Sequence, residues 1–153
     1  MSNKIFLDSS VLIEYRKGTK TDLLESIVAN KAFEPVINQV VVSEYLYYHI
    51  AIFSGKSPMT IKSAGDIKKY LSMGDPDLFL AQFGWLQDFP TLFKKASHLM
   101  QSYNLLPNDA LILSACQFHD IKYLASFDSD YALPCQSENI LLISDTTALG
   151  AIV

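Results

Sequence analysis

The chain has 153 residues, enough for one domain with a substantial core and too few for two of ordinary size. Half of the residues are hydrophobic and the mean hydropathy is +0.18, which excludes a largely disordered chain. A net charge of −4 argues against a surface that grips long nucleic acid all round, while a local basic patch beside an acidic site stays compatible with it.

Two cysteines, Cys116 and Cys135, allow one pairing and no dense disulfide framework. The opening MSNKIFLDSS has no apolar signal core. The most apolar stretch, residues 45–53, contains His49 and falls short of the ~20 residues a spanning helix needs. These features predict a soluble, cytoplasmic protein with no membrane span, folded as a single domain over residues 1–153.

The predicted elements alternate. Lys4-Ile5-Phe6-Leu7 is an apolar run that ends in Asp8 and reads as a buried parallel strand. Ser9 or Ser10 can cap a helix running through Arg16 and stopped by Gly18. Thr21 or Asp22 can cap a second, with Leu23, Leu24, Ile27 and Val28 at helical spacing. Residues 35–38 form a short strand. Residues 41–53 read as a helix with Val41, Tyr45, Tyr48 and Ile52 on its apolar face, ending near Gly55. A helix over 59–71 keeps Lys62, Lys68 and Lys69 wet. Residues 72–90 are irregular, with Gly74, Pro76, Gly84 and Pro90 around Phe79, Phe83 and Trp85. Residues 91–103 are helical, Pro107-Asn108-Asp109 opens the most apolar helix through Phe118, and strands follow at 123–126 and 140–143. The alternation implies an α/β fold with a short, mostly parallel central sheet flanked by helices.

The chemistry lies in the acids. In open parallel sheets, ligands bind beyond the carboxyl ends of the strands. Asp8 stands at one such end, and Asp128 and Asp130 just past another. Asp109 occupies a first helical turn, where the macrodipole favours negative charge. Glu44 is the one acid in an apolar helix, and a carboxylate there is costly without a cation. Acids delivered by separate elements to one cleft repel each other until a divalent cation relieves them. Oxygen donors without histidine favour Mg²⁺ or Mn²⁺ over Zn²⁺. Such a site suits phosphodiester hydrolysis and needs no serine or cysteine nucleophile. Taken singly, each acid has a plainer role as a turn, cap or helix-surface residue.

Three segments together resemble the PIN-domain family, particularly the toxin nucleases of the VapC kind. They are Lys4-Ile5-Phe6-Leu7-Asp8-Ser9-Ser10-Val11-Leu12-Ile13, then Val40-Val41-Val42-Ser43-Glu44-Tyr45-Leu46, then Leu106-Pro107-Asn108-Asp109-Ala110-Leu111 leading on to Ala125-Ser126-Phe127-Asp128-Ser129-Asp130-Tyr131. The resemblance spans residues 4 to 131. It implies catalytic, metal-binding roles for Asp8, Glu44, Asp109 and Asp128. Asp130 matches a more variable acid and ranks below Asp128 as the fourth. Ser10 and Ser126 match supporting polar positions. The implied fold is the three-layer PIN arrangement, and the implied activity is Mg²⁺- or Mn²⁺-dependent cleavage of RNA. A cognate antitoxin and a homodimer are the implied partners, and the early helices are the surface hypothesised for an isologous dimer.

Some features sit outside that pattern. Cations are few near the motifs, and Arg16 and Lys17 are the phosphate-contact candidates, against the plainer account of a solvated helix end. Phe79, Phe83 and Trp85 suggest a partner surface or, more simply, core packing. Cys116 and His119 have C-x-x-H spacing without the second pair that structural zinc requires. Two other functions compete: a PIN domain that binds RNA or protein without cutting, and a phosphatase-like hydrolase with Asp8 as nucleophile. Ser10 stands where the latter usually has its second acid.

Overall fold

The computed structural model describes residues 3–153. Five parallel strands form one sheet among the described residues, in the order β3-β2-β1-β4-β5: β1 (Asn3–Leu7), β2 (Phe33–Ile37), β3 (Gly84–Trp85), β4 (Tyr123–Ala125) and β5 (Leu141–Ile143). Ile5, Phe6 and Leu7 are wholly buried, because the central strand of a parallel sheet is covered on both faces. Pro35 is tolerated inside β2 because β3 pairs with Val36 and Ile37 alone, so β2 has a neighbour on one side only at that residue.

The helices are α1 (Ser9–Lys17), α2 (Asp22–Ala29), α3 (Gln39–Ser54), α4 (Pro58–Ala64), α5 (Ile67–Leu71), α6 (Pro76–Leu80), α7 (Leu92–Tyr103), α8 (Pro107–Phe118), α9 (Ala132–Ser137) and α10 (Thr146–Gly150). From β1 the chain steps one way across the sheet to β2 and β3, then returns to the other side of β1 as β4 and β5. Right-handed crossovers therefore put α1 to α3 on one face and α7 to α9 on the other. The packing agrees: α1 lies on α3, and α7 lies on α8 and α9. The three layers are those expected.

Several local expectations change. The residue capping α1 is Asp8, not Ser9 or Ser10. Thr21 stands at the start of α2 without a side-chain cap bond, and Val28 is exposed. On α3 the buried stripe is Val41, Tyr45 and His49, while Tyr48 is 47 % exposed. A buried histidine is affordable there because both ring nitrogens are satisfied. Arg16 Nε donates to Tyr45 Oη at 3.0 Å, and Tyr45 Oη pairs with His49 Nδ1 at 3.2 Å. His49 Nε2 lies 2.7 Å from the Met73 carbonyl, which only accepts, so Nε2 carries the proton and Nδ1 receives the Tyr45 hydroxyl.

The helix expected over 59–71 breaks at Gly65 (φ 74°) into α4 and α5. Residues 72–90 are not shapeless: they hold α6 and the edge strand β3. Phe79 and Phe83 join the core, whereas Trp85 is 59 % exposed. Gly74 at φ 69° is required twice over, since any Cβ there would also strike the Phe53 ring. The short α9 and α10 carry no sequence pattern long enough to predict them. Cys116 and Cys135 are both buried and unpaired. No helix among the described residues is long and apolar enough to cross a membrane.

Candidate metal centre

The reversal of strand order around β1 opens a crevice at the carboxyl ends of β1 and β4, the place where open α/β sheets bind ligands. Asp8 follows β1 directly, and its backbone N–H donates to the Ala125 carbonyl of β4 at 2.9 Å. Only 4 % of Asp8 is exposed. Its carboxylate makes no cap bond to α1. Instead Oδ2 accepts from the hydroxyls of Ser10 at 2.6 Å and Ser126 at 2.7 Å. Burial raises the Asp8 pKa above the ordinary value, and the two hydroxyls offset part of that.

Asn38, at the end of β2, caps α3 by accepting from the Val41 N–H. That start sets the register of α3 and turns Glu44 toward Asp8 and Asp109. The Glu44 pKa is raised first by burial and then by repulsion from those two acids. Its Oε1 is buried without a hydrogen-bond partner. Such an atom costs on the order of 1–3 kcal/mol until something satisfies it.

Pro107 takes the first position of α8, where its missing N–H is harmless, and puts Asp109 in the first turn. Asp109 Oδ1 accepts from the Tyr131 hydroxyl at 3.2 Å. Burial and repulsion from Asp128, Asp8 and Asp130 push its pKa up to about 6, against the pull of Tyr131. Beyond β4, Asp128 caps a single turn of tighter helix, Ser129–Tyr131, by accepting from the Asp130 N–H at 2.9 Å. Asp109, Asp128 and Asp130 each offer a carboxylate oxygen within 4.8 Å of the others.

All five acids expected at the site thus come to one crevice. Asp109, Asp128 and Asp130 form the tight group, with Asp8 and Glu44 alongside. Both Asp128 and Asp130 face it, so the choice between them is not forced by placement. Neither ion pair among the described residues involves any of these acids. A set of hard oxygen donors, with burial and mutual repulsion raising the pKa of Asp8, Glu44 and Asp109 and one buried Glu44 oxygen left unpartnered, fits a divalent cation such as Mg²⁺ or Mn²⁺.

The two candidate cations lie differently. Arg16 is engaged inside the fold: besides Tyr45, its Nη2 donates to the Gly74 carbonyl at 2.5 Å, and its guanidinium lies 4.6 Å from the Phe79 ring centroid. Lys17 pairs with Glu14 at 3.2 Å. Sequence reasoning passed over Lys20, whose ammonium lies 4.7 Å from the centroid of Phe127, between Ser126 and Asp128. It also passed over Tyr131 and over Asn108, whose side chain acts on Glu44. The only signal for Tyr131 was its place at the end of the acidic turn.

A PIN domain model matches residues 5–134. The chain belongs to the PIN domain family. Ribonuclease VapC2 of Methanocaldococcus jannaschii is 35 % identical over 130 residues, which covers 84 % of this chain and 87 % of that protein. Ribonuclease VapC6 of the same organism is 31 % identical over 144 residues, covering 84 % and 91 %. Among solved structures, a toxin–antitoxin complex from Klebsiella pneumoniae matches with a TM-score of 0.60 at 17 % identity, over 92 % of this chain and 96 % of that one. VapBC2 from Rickettsia felis, bound to a DNA fragment from their promoter, matches with a TM-score of 0.59 at 16 % identity, over 92 % and 97 %. At that identity the two structures speak for the PIN fold alone, whereas the Methanocaldococcus relatives share sequence along most of the domain.

Proposed function

We propose that this PIN domain is an endoribonuclease that hydrolyses RNA phosphodiester bonds with Mg²⁺ or Mn²⁺, and that it is the toxin of a toxin–antitoxin pair. The observation that carries the reading is the convergence of Asp8, Glu44, Asp109, Asp128 and Asp130 at one strand-end crevice, unpaired and with an orphaned Glu44 oxygen. The relatives named as ribonucleases support the same chemistry. A divalent ion held there would lower the pKa of water and offset charge at the scissile phosphate.

The side chains have distinct tasks in this scheme. Asp109 and Asp128 would hold the ion, with Asp130 as a further donor. Asp8 would do so from the buried side, where Ser10 and Ser126 fix its carboxylate. Glu44, from α3, would add a carboxylate to the donors for the ion. A cognate antitoxin, a homodimer and a cytoplasmic location complete the proposal. Light scattering that shows a monomer at high concentration would remove the dimer from it.

Purified protein is incubated with mixed RNA in Mg²⁺ or Mn²⁺, then with EDTA, beside Asp8→Asn and Asp109→Asn. Cleavage that needs metal and disappears in both variants is the expected result. Cleavage that survives both substitutions places the activity elsewhere.

A further inference from the structure

Next to the acids lies a groove of about 370 Å³, walled by the start of α3, the segment after β3, and the first turns of α7 and α8. That volume is ordinary for a site that takes one small planar ligand. It adjoins the acids through Asn108, which lines it and whose side chain hydrogen-bonds Glu44. Its walls carry two aromatic rings with open faces, Phe89 at 38 % and Phe93 at 59 % exposure. The Phe89 ring is backed by Phe118, with centroids 4.9 Å apart.

The charge of the lining selects the occupant. Its one charged residue is an acid, Asp88, and no lysine or arginine faces the groove, so a phosphate is disfavoured there. A neutral ring with exocyclic amino groups suits it. Asp88 is held in place: its Oδ1 accepts from Asn38 Nδ2 at 3.0 Å, and Asn38 is wholly buried. A carboxylate so anchored is an acceptor for an amino group in the groove, and Gln39 adds an amide to the lining.

We infer that this groove is a nucleobase subsite, which takes one unpaired base of the RNA next to the scissile phosphate, stacked on Phe93 and read by Asp88. It rests on the ribonuclease reading for the location of the phosphate. A base within a duplex cannot reach such a groove, so the substrate is single-stranded at this position.

The test uses an oligoribonucleotide cut by the wild type, with single abasic replacements placed in turn around the cut. Wild type, Phe93→Ala and Phe93→Tyr are compared by kcat/KM. Stacking of one base predicts a roughly five- to 150-fold loss at one abasic position in the wild type. Phe93→Ala shows a similar loss on intact RNA and no further loss at that position, and Phe93→Tyr restores the wild-type pattern. Losses that multiply, or no responsive position, overturn the subsite. If the wild type cuts no RNA, anisotropy of the labelled oligonucleotides reads the same series: base-dependent binding lost in Phe93→Ala keeps the subsite while the nuclease reading fails. Binding equal in both proteins, or a Phe93→Ala defect confined to a protein partner, overturns it.

Discussion

The hydroxyls of Ser10 and Ser126, 116 positions apart in the chain, lie 3.3 Å from each other and donate to the same oxygen of Asp8. Each also accepts a backbone N–H from the turn after β4: Ser10 Oγ from Phe127 at 3.1 Å, and Ser126 Oγ from Asp128 at 3.0 Å. The pair therefore transmits the position of the Asp128 turn to Asp8, on a different strand. This is how β1 and β4 hold the acids of the crevice in register.

Ser126→Ala removes the hydroxyl from a wholly buried position and leaves the Asp128 N–H without its acceptor. The expected cost is about 1–3 kcal/mol of stability. For a domain of this size that lowers Tm by roughly 2–4 °C per kcal/mol. Activity should fall by more than the lost stability explains, because Asp8 loses a donor that holds its carboxylate. Ser126→Thr keeps the hydroxyl and should recover most of the activity. Calorimetry beside a cleavage assay checks both, and an Ala variant with unchanged Tm would mean that Ser126 does not hold the turn.

Glu44→Gln separates function from stability in opposite directions. Glu44 is half-buried, unpartnered at Oε1 and repelled by Asp8 and Asp109, an effect that outweighs its hydrogen bonds from Asn108 and Ser9. Removing its charge relieves repulsion, so the metal-free variant should melt at or above the wild-type temperature. Cleavage should drop by at least about tenfold, the low end of what a lost acid–base or ligand group costs. A variant that is both less stable in EDTA and fully active would contradict the role given to Glu44.

Much of this was legible in the sequence for physical reasons. The run Ile5-Phe6-Leu7 announces a strand buried on both faces, and an acid at the end of such a strand has nowhere to go but the crevice. Pro107 before Asp109 marks a helix start as directly as sequence can. What escaped was tertiary. His49 is buried because Tyr45, one turn earlier on α3, and the Met73 carbonyl satisfy its ring nitrogens while Arg16 holds Tyr45, and Met73 and Arg16 come from other segments. Asn108 and Tyr131 matter through what folds against them. The strand β3 is two residues long, below any periodicity that sequence can display.

The same network makes a prediction about the early cations. Arg16 links α1 to α3 through Tyr45 and to the Gly74 carbonyl, and stacks on Phe79. Arg16→Ala should cost about 1–3 kcal/mol, discounted for its half-buried position. Arg16→Lys cannot reproduce a two-directional guanidinium and should recover little. Lys17→Ala, at an exposed pair with Glu14, should change stability by well under ~1 kcal/mol. Salt titration of RNA binding shows whether either also meets phosphate. A shallower dependence of affinity on salt in Lys17→Ala or Lys20→Ala would mark that lysine as a phosphate contact.

The raised carboxyl values set the sign of the pH response. Asp109 moves from 3.8 to about 6, and Asp8 and Glu44 move the same way. In each case the folded state binds its proton more tightly than the unfolded chain. Their contribution to stability is therefore present at low pH and lost as pH rises, for Asp109 from about 4 through about 6. For Asp109, which is partly open to solvent, the swing is on the order of 1–2 kcal/mol. Glu14, lowered by Thr19 and Lys17, works in the opposite direction, so the wild type alone does not isolate the site. The difference between wild type and Asp109→Asn does. In EDTA that difference should shift against the wild type as pH rises through this window. A divalent ion requires the deprotonated acids, so saturating Mg²⁺ or Mn²⁺ should raise Tm more above pH ~7 than near pH ~5. Melting curves at a series of pH values, with EDTA and with metal, measure both slopes. A wild-type advantage over Asp109→Asn that grows with pH in EDTA would mean that these carboxylates are compensated within the fold and have no need of a cation.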